Sequence, residues 1–145
     1  PIRDITGKVV AFNGRHMTMT ERPKYLIYPP QAVMPLFPSN VKAIKGKIIL
    51  VEGIFDMINL HDKGLTNAVC CFGTKNINTD KLSMLKIQGV EQVDIFFDGD
   101  DAGQEAAEKV KQMCEDVSLL TRSIHLKGTD PGALTETKLK SKLYA

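Results

Sequence analysis

The sequence predicts an α/β fold: a mainly parallel four-stranded sheet flanked by helices, with a small β-rich piece ahead of it. Three observations carry this reading. From Lys47 onward, short apolar runs alternate four times with amphipathic segments, as strands do when crossover helices join them on the two faces of a sheet. The first run, KIILV, is continuously apolar after its lysine, which fits a strand covered on both faces. Before Lys47 that rhythm is missing, and turn residues punctuate short β-prone runs instead.

In order along the chain, residues 1–28 read as β structure. A turn is expected at Thr6-Gly7, a strand over 9–12, a second turn at Asn13-Gly14, and a strand over 24–28 stopped by Pro29-Pro30. Pro35, Pro38 and Ser39-Asn40 mark an irregular connection over 31–45. A strand over 47–51 passes into a helix over 54–63, whose Ile54, Phe55, Met57, Ile58 and Leu60 form a buried side, and Gly64 suits the position just past its end. A strand over 67–72 runs into Gly73-Thr74, and Asp80 is the expected N-cap of a helix over 81–87. A strand over 93–97 precedes a helix over 102–115, where Ala106, Val110 and Met113 share one side and Glu105 can pair with Lys109 on the other. After a strand over 119–126, Thr129-Asp130-Pro131-Gly132 turn the chain into a basic helix over 133–143.

Length and composition bound the answer. At 145 residues, 43% hydrophobic and 25% charged, the chain is one ordinary globular domain, or one domain with a fragment of another. No apolar run approaches the roughly 18 residues of a membrane span, and no secretory leader is expected from the opening residues. A cytoplasmic setting with no membrane partner is therefore expected. The three cysteines, Cys70, Cys71 and Cys114, lack a CxxC spacing. Cys70 and Cys71 would point to opposite faces of a strand, so buried thiols are expected rather than zinc ligands or disulfides. The net charge of +2 hides a division: residues 1–47 carry eight basic side chains against Asp4 and Glu21, a local +6, while the remainder carries −4. One part attracts polyanions and the other can hold cations, although a solvated basic surface would read the same way.

The acidic residues concentrate where chemistry is expected. Glu52 ends the first parallel strand, Asp98 ends a later one, and Asp100 follows after a single glycine. In open α/β sheets ligands bind at the carboxyl ends of the strands. Adjacent strands would bring Glu52, Asp98 and Asp100 together with no cation near them in sequence. Such a cluster needs a counter-ion, and hard oxygen donors suit Mg²⁺ or Mn²⁺. Asp56, one helical turn beyond Glu52, faces the same mouth, and Asp130 follows a strand on the same edge. Simpler roles compete: a carboxylate ahead of a helix is favoured by the helix dipole, and an Asp there is a good cap. The cap is assigned to Asp101, leaving Asp98 and Asp100 as ligands, and Gly103 lets a ligand or another backbone come close. His16, His61 and His125 have no metal-binding spacing and are expected in surface or packing roles. The carboxylates suit metal-assisted phosphoryl chemistry, with Glu52 also able to act as a general acid or base. Nucleotidyl transfer and phosphodiester cleavage remain equally open from the residues alone.

VEGIFD followed by FFDGDDAG resembles the Toprim domain of DnaG-type primases, type IA and type II topoisomerases, OLD-family nucleases and small RNA-processing nucleases. The resemblance spans about residues 46–132. It implies that Glu52, Asp98 and Asp100 bind divalent metal or support catalysis, with Asp56 and Asp130 as supporting acids. PIRDITGKVVAFNGR, PKYL and PLF are similar to the segment preceding Toprim in the RNA polymerase core of bacterial and phage DnaG-type primases. That similarity gives Arg15 and Lys24 contacts with nucleic acid or nucleotide. The chain departs from the family's pattern in the spacer between Arg15 and Lys24, in Pro38-Ser39-Asn40 after PLF, and in Gly132 after Asp130-Pro131.

The resemblance implies part of a basic amino-terminal subdomain over residues 1–45 and a Toprim domain over 46–145. Because the chain opens in mid-pattern without Met, it is expected to be an excised piece, lacking zinc-binding and helicase-binding modules. The implied activity is metal-dependent synthesis of short RNA primers from NTPs on single-stranded DNA in replication, the fragment alone being inactive if it needs the rest of the core. The implied partners are template, NTPs, RNA primer and, through the absent modules, the replicative helicase. The alternatives are a Toprim nuclease and a non-catalytic nucleic-acid-binding fragment.

Overall fold

A computed structural model of the chain describes residues 1–18, 20, 22–125, 131 and 134–143. Strands β1 (Ile2–Arg3), β2 (Val9–Arg15) and β3 (Tyr25–Tyr28) form a small antiparallel sheet in that order. The turn at Thr6-Gly7 is present: Asp4 accepts the backbone N–H groups of Thr6 and Lys8, and Gly7 has φ +87°. The expected turn at Asn13-Gly14 is not. Both residues lie inside β2, opposite Ile27 and Leu26. A two-residue hairpin turn requires a strand-forming run directly after it, whereas Arg15-His16-Met17-Thr18 offers none and the pairing run begins at Tyr25.

The second sheet is parallel, with strand order β5-β4-β6-β7, and comprises β4 (Lys47–Val51), β5 (Ala68–Cys70), β6 (Gln92–Ile95) and β7 (Leu120–Ser123). Four helices accompany it among the described residues: α1 (Ile54–Asp62), α2 (Thr79–Ile87), α3 (Asp101–Asp116) and α4 (Glu136–Leu143). Alternate residues of each strand serve opposite faces. Ile48, Leu50, Val69, Cys71, Val93 and Ile95 pack with α2 and α3, whereas Ile49, Val51, Ala68, Cys70 and Phe96 pack with α1 and α4. Cys70 and Cys71 thus lie on opposite faces as buried thiols. Burial raises both pKa values and that of Cys114, Cys71 and Cys114 to about 12, so all three stay protonated at neutral pH.

Three local expectations need correction. In α1, Met57 and Leu60 are buried, but Phe55 and Ile58 are about half exposed. Each pair is three residues apart, so the apolar positions form two stripes, and only one meets the sheet. The cap of α2 is Asn78, whose side chain accepts the Lys81 N–H at 2.9 Å, rather than Asp80. Asp80 sits one residue inside the helix, where its charge favours the positive end without closing it. Finally β5 stops at Cys70, short of Phe72, because Phe72 (φ +55°) and Gly73 (φ +96°) turn the chain off the sheet.

The two sheets meet through a small apolar cluster. Ile2, Ala11 and Met34 pack with Ile27, Phe37, Ile54 and Phe72, and the backbones of Phe37 and Cys70 pair in an antiparallel bridge beside β5. This contact holds the cleft-facing side of β2 and β3 over the carboxyl edge of the parallel sheet.

Candidate active site

Strands β4 and β6 are direct neighbours in parallel register, Leu50 opposite Ile95, so the residues just beyond their carboxyl ends emerge side by side. Glu52 and Asp98 are those residues. The Glu52 carboxylate accepts the backbone N–H of Asp98. Its backbone carbonyl accepts the Gly73 N–H at 3.2 Å, which ties the loop after β5 to the same spot. The Glu52 carboxyl titrates above the ordinary glutamate range, first because it is half-buried, then because the negative charges of Asp98, Asp100 and Asp56 lie close by. The expected convergence of these four acids is therefore present, and its electrostatic signature falls on Glu52.

The structure assigns the capping role to Asp100, correcting the choice of Asp101. Asp100 Oδ1 accepts the Gly103 N–H at 2.8 Å and closes the start of α3. Asp101 already belongs to the helix, where its backbone no longer has the extended conformation that a cap requires. The close backbone approach foreseen at Gly103 is present: a Cβ there would lie 2.2 Å from the Asp98 carbonyl oxygen. Asp56 stands in the first turn of α1 with Oδ2 only 2.8 Å from where a Cβ on Gly53 would sit, so its carboxylate folds back toward Glu52. Asp130 lies outside the described residues.

The acids form one wall of a cleft of about 710 Å³ whose other wall is the small sheet, contributing Asn13, Arg15, Lys24 and Tyr25. Arg15 and Lys24 thus face the acidic edge, although they are 37 and 28 residues before Glu52 in sequence. The Arg15 guanidinium lies 4.8 Å from the centroid of Phe55 and 5.5 Å from that of Tyr25, and its Nη1 donates to the Tyr25 hydroxyl at 3.3 Å. The two rings are themselves 6.1 Å apart. Reading the sequence for charge alone misses these aromatics. The available signal is that α1 has more apolar residues than one face can bury.

Oxygen-only donors that repel one another fit a hard divalent cation. No group of three acidic, histidine or cysteine side chains among the described residues forms a ready-made metal cage. An ion held by one or two carboxylates and several waters, the usual habit of Mg²⁺, is the form that suits this donor set. His61 has a packing role, its Nε2 2.9 Å from the Ala68 carbonyl. Asp94, an acid that the sequence reading passes over, is buried away from the cleft and paired with Arg122 through two contacts, of 3.1 and 2.5 Å.

Residues 49–134 match the Toprim-like family. The chain is 32% identical over 141 residues to a DNA primase of Aquifex aeolicus, an alignment covering 90% of this chain and 28% of that relative's length. Among solved structures it resembles the zinc-binding and RNA polymerase domains of Aquifex aeolicus primase, with TM-score 0.78 and 28% identity over 99% of this chain and 38% of that one. It also resembles a DnaG primase catalytic domain bound to ssDNA, with TM-score 0.76 and 25% identity over 99% of this chain and 50% of that one.

Proposed function

The chain belongs to the Toprim-like family, and from that membership we propose that it is the metal-holding half of a DnaG-type primase core, which joins NTPs into short RNA primers on single-stranded DNA. In this reading residues 46–145 are the Toprim domain and residues 1–45 are part of the basic subdomain before it. The observation that carries the reading is the cleft itself, where Glu52, Asp56 and Asp98 face Arg15 and Lys24 across a single space. Acids alone would suit any metal-assisted reaction. Acids opposite fixed cations suit one whose substrates carry both metal-bound phosphates and a further polyanion.

Glu52, Asp98 and Asp100 hold the divalent ion, Mg²⁺ or Mn²⁺, with Asp56 and Asp130 in support. A divalent ion held by these carboxylates would supply neutralisation of the charge at the transferring phosphorus. The Asp98 N–H orients the Glu52 carboxylate. Asp100 gives one oxygen to its helix cap, and its second oxygen would be the one offered to the ion. A Glu52 carboxyl that binds its proton more tightly than usual is suited to receive a proton from an attacking hydroxyl when it is not committed to metal. Arg15 and Lys24 contact template or triphosphate. The RNA primer and, through modules outside this stretch, the replicative helicase are the remaining partners in this reading. No helix among the described residues is long and apolar enough to cross a membrane, and a replication enzyme of this kind would work in the cytoplasm.

The test uses the complete enzyme. Glu52→Gln and Asp98→Ala should each abolish primer synthesis while leaving the circular dichroism spectrum and melting cooperativity unchanged. Primer synthesis retained by either variant would contradict the assignment. Labelled single-stranded DNA incubated with Mg²⁺, with and without NTPs, separates polymerisation from cutting.

A further inference from the structure

The geometry points to Phe55 as a positioning residue that holds the Arg15 guanidinium at the cleft for contact with a nucleic-acid phosphate. The inference rests on the reading of Arg15 given above and adds a residue to it.

Phe55 has no place in the apolar clusters that build the fold and is 46% exposed. Burial therefore does not account for a phenylalanine there. Its ring faces two groups of the small sheet instead, Tyr25 at 6.1 Å and the Arg15 guanidinium at 4.8 Å, the shorter of the two ring contacts that Arg15 makes. A cation within about 6 Å of a ring face is attracted by the ring's quadrupole. The guanidinium carries five N–H donors, and the Tyr25 hydroxyl takes one from Nη1, which leaves an edge to offer an anion. None of the ion pairs among the described residues involves Arg15, although acids line the opposite wall. The two rings, one from each wall of the cleft, fix the cation between them, and a long, otherwise mobile side chain is ordered before the polyanion arrives. Phe55 is three residues from Glu52 on a helix that starts at the sheet edge, so the same element sets both the acid and the seat of the cation.

The experiment measures binding of the full chain to a fluorescent single-stranded DNA across a salt series. Arg15→Ala should lower the slope of log affinity against log salt by about 0.7, the share of one phosphate on a single strand. Phe55→Leu keeps apolar bulk but removes the ring. It should lose most of the same slope and weaken binding roughly three- to tenfold, and it should add nothing to Arg15→Ala. Phe55→Tyr should restore the parent slope. A full slope in Phe55→Leu beside a reduced one in Arg15→Ala would overturn the positioning role and leave the role of Arg15 standing. An unchanged slope in Arg15→Ala, or no salt-dependent binding by the parent chain, would remove the premise and the inference together. Thermal melts run alongside; loss of slope only together with loss of cooperative melting would make Phe55 structural and overturn the inference.

Discussion

Gly103 and Asp100 show how closely the acidic edge depends on single atoms. A methyl group on residue 103 would meet the Asp98 carbonyl oxygen at 2.2 Å, and that oxygen belongs to backbone, which cannot swing aside like a side-chain end. Gly103→Ala should therefore cost about 1–3 kcal/mol, the usual range for overpacking, measured by urea denaturation. It should also loosen the Asp98 N–H from Glu52. Asp100 has two roles that substitution can separate. Asp100→Asn keeps an acceptor for the Gly103 N–H and should leave stability nearly unchanged, whereas Asp100→Ala should cost about 0.5–2 kcal/mol. Both should fail in primer synthesis by the complete enzyme, and a fully active Asp100→Asn would reduce Asp100 to a cap. The close approach at residue 103 is legible in DGDDAG, since a glycine in a helix's first turn needs a reason. The choice between Asp100 and Asp101 as the cap is not legible. Adjacent aspartates carry equal cap propensity, and only the backbone decides which of them stays extended.

The strands of the parallel sheet and their helices are legible because continuous apolar runs and amphipathic segments differ in period. What the pattern cannot tell is which of two apolar stripes on α1 turns inward, or that Asn13-Gly14 continues a strand. Both depend on partners distant in sequence. Asp94 is a further case: it sits within an apolar run, and its acceptability depends on Arg122 in the next strand of the sheet. Arg122 also donates to the Leu143 carbonyl, so one side chain joins β6, β7 and the end of α4. Arg122→Met should destabilise the fold by about 3 kcal/mol, the lower end for breaking a buried pair, because the guanidinium is one-third exposed and water can partly replace it. Adding Asp94→Asn should recover a substantial part, since no buried charge is then left alone. Equilibrium unfolding of the three variants checks this, and a double variant no more stable than Arg122→Met would contradict it.

At the scale of the whole molecule, the basic wall and the acidic edge make stability depend on both pH and cations. The folded chain binds the Glu52 proton more tightly than the unfolded chain does, through burial and then through its acidic neighbours. The contribution of Glu52 to stability is accordingly full below the ordinary glutamate value of 4.5 and is lost as pH rises through the raised one. Asp4, Glu105 and Glu136 are shifted the opposite way by their hydrogen-bond partners. Their contributions are present above the unfolded values and lost as pH falls through the lowered ones, so the melting curve of the parent chain alone mixes two signs. The difference between the parent and Glu52→Gln removes the shared part. Without divalent ions, Glu52→Gln should gain on the parent as pH rises from 4 toward neutrality, because the amide never acquires the charge that the other acids oppose. Mn²⁺ at neutral pH should reverse the order. Binding to the folded chain alone stabilises by about 2.7 kcal/mol at a hundred times the dissociation constant, and Glu52→Gln should lose most of that gain. A parent-minus-variant difference flat in pH and unmoved by Mn²⁺ would mean that the Glu52 carboxylate does not feel its neighbours, and the edge would lose its physical reason to recruit a metal ion.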